Sequence, residues 1–386
     1  IAIILDRGGI MLVKLLDLIK ISGLYQLSLE HVGMIIIACI LMYLAIVKEF
    51  EPLLLLPISF GVLLVNIPGT GLMSGPTEEV VGGLLHYLYE GVRLGIYPPL
   101  IFLGIGAMTD FGPLIAHPKT MLLGAAAQFG IFTTFFGATL LGFNLQEAGS
   151  TAIIGGADGP TSIYLTSRLA PELLAVIAIA AYIYIAMVPL IQPPIIKALT
   201  SKKERAIEMK QQRSVSKKER ILFPVMVTIV VGLIVPQALS LVGMLMLGNI
   251  LRECGVTKRL SDTASNALVN TVTILLMLSV GASLEADVFF DWKFLGILVL
   301  GLSAFAISTI TGLMMGKIMA KFSDETINPM IGASGVSAVP EAARCAQRLG
   351  QEANPKNFLL MHAMAPNVAG VIGSAVAAGV LLSILG

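Results

Sequence analysis

The sequence predicts an all-α polytopic membrane protein of about ten transmembrane helices, with two re-entrant broken hairpins set in an inverted repeat. Three observations carry that reading. Of 386 residues, 56% are hydrophobic and only 13% charged, against about 25% charged in a soluble chain. Apolar runs of membrane-spanning character recur along the whole length. Between them lie two segments too rich in glycine, proline and hydroxyls to sit in lipid as plain helices. This composition excludes a soluble enzyme, a disordered chain and a coiled coil, and a net charge of +1 excludes an electrostatic nucleic-acid binder. Cys39, Cys254 and Cys345 are odd in number and scattered, and His31, His86, His117 and His362 lack metal-ligand spacing. Disulfide scaffolds, zinc sites and metal hydrolases are therefore out.

A crossing helix takes about 20 apolar residues. Runs lie at about 33–47, 53–67, 98–109, 120–142, 171–196, 221–236, 238–251, 265–283, 294–316 and 359–384. Residues 1–30, punctuated by Asp6, Arg7, Lys14, Asp17 and Lys20, fit an interfacial amphipathic helix or a truncated start better than a cleaved signal peptide. The loop from Lys197 to Arg220 holds nine Lys/Arg against three Glu and is cytoplasmic by the positive-inside rule. Alternating the spans from there puts the turns at 48–51 and 110–119 on the same side. It puts Glu285, Asp287 and Asp291 outside.

Residues 148–165, AGSTAIIGGADGPTSIYL, and 326–343, TINPMIGASGVSAVPEAA, read as re-entrant hairpins. Glycine and proline break the helix ladder there, and the freed backbone groups need partners in protein, water or ions. The two segments belong to an internal repeat. Gly106 pairs with Gly281 at a spacing of 175, and Gly159 with Gly335 at 176. The span count inverts the second copy, so the broken tips should meet near the midplane, as in many secondary transporters. The expected organisation is N-terminal helices at 1–97, a first repeat at 98–196, the basic loop and connecting helices at 197–264, and a second repeat at 265–386. Gly312 and Gly316 form a small-xxx-small pair suited to close helix packing.

Asp158 is the most informative residue. A carboxylate at membrane depth costs about 2.5–3.5 kcal/mol, so it reads as a cation ligand or proton carrier, with or without a role as cap of a half-helix. Tyr184, in the middle of its span, is either an interfacial anchor or a hydrogen bonder into the site; Tyr182 lies on the same span. Ser334, Ser337, Asn328 and Asn367, the last beside Pro366 where a kink is expected, add oxygen donors suited to a hard cation, and Na⁺ fits them. Arg344 is either a snorkelling anchor or a guanidinium that reads an anion.

GGADGPTSIYL, VPLIQPPIIKALTSKKER, INPMIGASGVSAVPEAAR and NFLLMHAMAPNVAGVIGSA closely resemble the β subunit of the biotin-dependent sodium-pumping decarboxylases, over about 33–386. Those enzymes act on oxaloacetate, methylmalonyl-CoA or glutaconyl-CoA. The resemblance implies a multi-pass subunit of the bacterial inner membrane that decarboxylates carboxybiotin, consumes a proton and exports Na⁺. It implies Asp158, Tyr184, Ser337 and Arg344 as catalytic, and Asp158, Asn328, Ser337 and Asn367 as Na⁺ ligands. Arg344 would read carboxybiotin, and Gly332 would be structural. Implied partners are a carboxyltransferase α subunit, a biotin carrier, a small γ or δ membrane subunit and further copies of the β chain. The connection at about 68–97 is shorter than in oxaloacetate-type members, which favours the acyl-CoA branch. Met209-Lys210 lacks the flanks of a biotinyl-lysine, so biotin must arrive on another chain. The alternative from a different class is an Na⁺-coupled secondary transporter without covalent chemistry.

Overall fold

The computed structural model describes residues 22–284, 292–323, 325–336 and 340–386. The first 21 residues, the acidic turn with Glu285, Asp287 and Asp291, and Ser337 lie outside them. Among the described residues all regular structure is helical. Helix α1 (Leu29–Ile46) opens on a reciprocal cap between Ser28 and His31. Pro52 begins α2 (Pro52–Val65), where its missing N–H costs nothing. Helices α3 (Leu84–Arg93) and α4 (Tyr97–Met108) meet at a 68° bend. The next span is α5 (Met121–Ala127) and α6 (Phe129–Leu140), interrupted at Gln128.

The first broken hairpin follows as α7 (Leu145–Ala152), a 3-10 turn at Ile153–Gly156, and α8 (Gly159–Leu169). Helices α9 (Leu174–Ala186) and α10 (Val188–Leu199) are bent by 58° ahead of Pro193 and Pro194. After the basic loop come α11 (Lys217–Ile234), opened by a Ser216/Glu219 capping box, and α12 (Leu239–Glu253). A π turn at Thr263–Leu268 leads into α13 (Val269–Ala282). Then come α14 (Trp292–Phe322), the second hairpin's 3-10 segment Pro329–Gly335, α15 (Glu341–Ala353) and α16 (Leu360–Leu385). Pro366 sits inside α16, which continues through it as one helix.

Among the described residues five helices are long and apolar enough to cross a membrane, or up to seven if each bent pair is one span. The count of about ten expected from hydropathy is not reached by length, because α2 and α12 run only 14 and 15 residues and the 18-residue α11 opens on four charged side chains. Large apolar side chains such as Ile36, Ile40, Phe132, Phe136, Leu233 and Leu302 remain exposed on α1, α6, α11 and α14. So many exposed apolar groups fit lipid contact rather than water. Helix α9 is the opposite: Leu174 to Ala181 are buried all round, which makes it central.

Helix α14, with 31 residues, is about 46 Å long at 1.5 Å per residue and serves as a ruler through the molecule. Near its start Lys293 pairs with Glu147, at the opening of the first hairpin. Near its end Lys317 pairs with Glu204 at 3.0 Å. There the second hairpin begins, with Asn328 donating to the carbonyls of Arg205 and Ile207. The hairpins thus enter from opposite ends of α14. The basic loop also holds Asp110 through Arg220 at 2.9 Å and Glu352 through Lys197 at 2.8 Å, so the turn at 110–119 and the end of α15 share its face.

Candidate functional site

The first hairpin turns at Ala157, whose φ of +52° is a left-handed conformation that costs a non-glycine residue about 1–2 kcal/mol. That turn aims Asp158 inward as the N-cap of α8. Its Oδ1 accepts from the Thr161 amide at 3.3 Å and its Oδ2 from the Thr161 hydroxyl at 2.7 Å. The Ser374 hydroxyl, from α16, donates to the same Oδ2 at 2.7 Å. Asp158 is 6% exposed, and among the described residues no lysine, arginine or histidine pairs with it. Asp158 therefore caps a half-helix and is buried there. A buried carboxylate with hydroxyl partners and no fixed cation is suited to a mobile one.

The two hairpin tips are tied together through α14. Ser308 donates to the Gly155 carbonyl at 2.7 Å, on the first tip. Gln192 reaches Thr309, the next residue, at 3.5 Å and donates to the Ala333 carbonyl of the second tip at 3.0 Å. Gly332 is pressed against Gly312, and a Cβ on either would overlap the other's carbonyl. That is the close approach the small-xxx-small pair on α14 permits. From α16, Asn367 donates to the carbonyls of Ser334 and Val336, both at 3.1 Å. Asn367 and Ser374 lie seven residues apart, two helical turns, so one face of α16 serves both hairpins.

The expected site residues do not all converge. Asn328 caps the second hairpin, its oxygen accepting from the Met330 amide at 3.1 Å and its amide bound to the basic loop. Tyr184 donates to the Leu298 carbonyl on α14 and covers Gly301. Neither is among the hydrogen-bond partners of Asp158. Tyr182 takes the closer place, its ring lying where a Cβ on Gly159 would be. Arg344 is exposed and bonded to Glu341 at 3.3 Å.

Sequence reasoning missed Ser374, Thr161, Ser308, Gln192 and Glu51. For Ser374 a signal existed, the seven-residue spacing from Asn367. Glu51 gave none. It sits in the turn before α2, where burial and the Glu341 carboxylate push its carboxyl above the usual range, against Arg344. Cavities of about 480 and 590 Å³ open on the basic-loop face, lined by His117, Lys119, Arg213, Arg220 and His362 among others. Asp158 lines neither, so its carboxylate is shut from them in this conformation.

Residues 30–385 match the model of the family described as "Na+-transporting oxaloacetate decarboxylase beta subunit". The methylmalonyl-CoA decarboxylase subunit beta of Propionigenium modestum is 59% identical, over 97% of this chain and 100% of that protein. The glutaconyl-CoA decarboxylase subunit beta of Acidaminococcus fermentans is 54% identical, over 97% and 98%. The oxaloacetate decarboxylase beta chain of Klebsiella pneumoniae is 50% identical, over 95% and 97%. With a buried carboxylate at the joined tips of two broken hairpins and a match of this extent, the chain belongs to the family of Na⁺-transporting decarboxylase beta subunits.

Proposed function

We propose that this chain decarboxylates carboxybiotin brought by a partner subunit and couples that step to Na⁺ export. The single observation that carries this is Asp158, a buried carboxylate held by two hydroxyls with no cationic side chain among the described residues, where the hairpins meet. In the reaction the bond between the ureido nitrogen and the carboxylate breaks, CO₂ leaves, and the nitrogen keeps the electron pair and takes a proton. Export against 100 mV costs about 2.3 kcal/mol per charge, which this downhill step supplies. Asp158 and Asn367, with Ser337 by the family resemblance, serve the cation. Arg344 reads the planar carboxylate or ureido oxygen through its guanidinium fork. The family match favours this reading over a secondary transporter.

The partners follow from the same reading: a carboxyltransferase α subunit, a biotin carrier, a small γ or δ membrane subunit and further β copies. Their side is the basic-loop face, which carries Arg344, and the membrane is the bacterial inner membrane. The upstream substrate belongs to the acyl-CoA branch. Alignment with the oxaloacetate relative runs to 421 positions over 95% of this chain, whereas the glutaconyl-CoA relative needs 374 over 97%. The oxaloacetate relative thus carries extra residues that this chain lacks.

The test uses the purified complex, assayed against methylmalonyl-CoA, glutaconyl-CoA, oxaloacetate and malonate, with ²²Na⁺ uptake into inverted proteoliposomes. Asp158→Asn keeps the shape and removes the charge, and should abolish Na⁺-stimulated turnover and uptake together. Arg344→Lys should impair decarboxylation while leaving the Na⁺ site assembled; full turnover at every carboxybiotin concentration would make Arg344 only an anchor. An Asp158→Asn complex that still pumps sinks the reading.

A further inference from the structure

Gln128 lies at the one-residue interruption between α5 and α6, where the two hairpins come together. Its neighbour Ala127 touches the second tip: a Cβ on Gly335 would stand 3.1 Å from the Ala127 side chain. Gln128 itself touches the first tip. A Cβ on Gly156 would stand 3.4 Å from Gln128 Oε1 and 3.0 Å from Ser374 Cβ. The amide oxygen and the serine that holds Asp158 therefore face one small space, two residues from Asp158.

Gln128 is 6% exposed, and its Oε1 has no hydrogen-bond partner. The orientation of the amide is fixed, because Nε2 donates to the carbonyls of Gly124 at 3.1 Å and Gly370 at 3.4 Å. Flipping it would set oxygen against two carbonyl oxygens. Buried acceptors are nearly always satisfied, and one left open near a buried carboxylate is suited to a cation. Gln192 Oε1 is also unpartnered, but its amide is bound to the second tip and to Thr309 rather than beside Asp158.

We infer that Gln128 supplies a neutral carbonyl ligand to the transported sodium ion, opposite the Asp158 carboxylate and beside the Ser374 hydroxyl. The inference rests on the reading of Asp158 as the cation-binding carboxylate and goes beyond it by naming a ligand on a third element. One carboxylate with neutral oxygens balances a single positive charge, whereas divalent hard cations draw on more carboxylates. A ligand at a helix break also links cation occupancy to the contact of that break with both hairpins.

The experiment uses the intact complex with Na⁺ and Li⁺ as probes. Two readouts are taken: the concentration giving half-maximal decarboxylation, and the rise in unfolding midpoint that each cation produces. Gln128→Met is close in shape and removes the oxygen; it should raise the half-saturating Na⁺ concentration at least tenfold and shrink the Na⁺-dependent rise in midpoint. Gln128→Asn keeps the amide but withdraws it by one methylene. It should weaken Na⁺ in the same direction and alter the Na⁺/Li⁺ ratio, which a merely structural role would leave unmoved, and it serves if the Met variant does not assemble. Unchanged Na⁺ half-saturation and ratio in the folded variants overturn the inference. Asp158→Asn is run alongside. If it abolishes the Na⁺ response while the Gln128 variants keep theirs, only the inference falls; if it too leaves the response intact, the underlying reading has failed.

Discussion

Ser374 donates a 2.7 Å hydrogen bond to Asp158 across 216 residues of sequence, joining the last helix to the tip of the first hairpin. Leaving a buried acceptor without its partner costs about 1–3 kcal/mol. Ser374→Ala should lower the stability of the purified complex by an amount in that range, read from chemical unfolding. The same variant should need more Na⁺ for half-maximal turnover. A variant of unchanged stability and unchanged Na⁺ dependence would show that the bond is incidental.

The seam between hairpin and helix is backbone against backbone. A Cβ on Gly332 overlaps the Gly312 carbonyl, and neither chain can rotate away as a side chain would. Gly332→Ala should therefore destabilise the protein by about 1–3 kcal/mol or more and remove activity. Gly243 in α12 is the control, since its nearest new neighbour is a Leu239 methyl at 3.6 Å. Gly243→Ala should be neutral or stabilising by about 0.5–1 kcal/mol through helix propensity. Thermal midpoints of the two variants, measured side by side, decide the matter.

Glu147 has only 8% of its side chain exposed, and Lys293 answers it from the start of α14. Removing the lysine strands a buried carboxylate, at a cost of about 1–3 kcal/mol or more. Lys293→Met should lower the unfolding midpoint. Adding Glu147→Gln should restore much of the loss, because glutamine still completes the capping box with Asn144. A double variant no more stable than Lys293→Met would place the role of Lys293 elsewhere.

Glu51 gives a pH dependence with a definite sign. Burial and Glu341 raise its folded pKa above the ordinary 4.5, so the folded protein holds this proton more tightly than the unfolded chain. Stability from Glu51 is then fully present below about 4.5 and is lost as pH rises through the folded pKa. Glu51→Gln cannot lose that proton. Its unfolding midpoint should match the wild type in acid and exceed it increasingly toward neutral pH. Parallel midpoints across the pH range would show that the carboxyl is not perturbed.

The sequence by itself determined the membrane class, the shared face of the basic loop and the turn at 110–119, and the two breaks at 155–158 and 328–335. Those features are local: apolar length, charge bias and the conformational needs of glycine and proline are written in contiguous residues. It also marked Asp158, because an ionisable residue among apolar spans is conspicuous wherever the chain leads it.

Only the tertiary structure decided which groups meet that carboxylate. Ser374 and Thr161 hold it, Gln128 faces the same space, Tyr184 is spent on Leu298, and Asn328 on the basic loop. The physical reason is rotational. A helix such as α9, apolar and buried on all sides, carries no amphipathic stripe to say which face turns inward. Its phase, and hence whether Tyr182 or Tyr184 points toward Asp158, is set by close packing at glycine contacts between segments far apart in sequence.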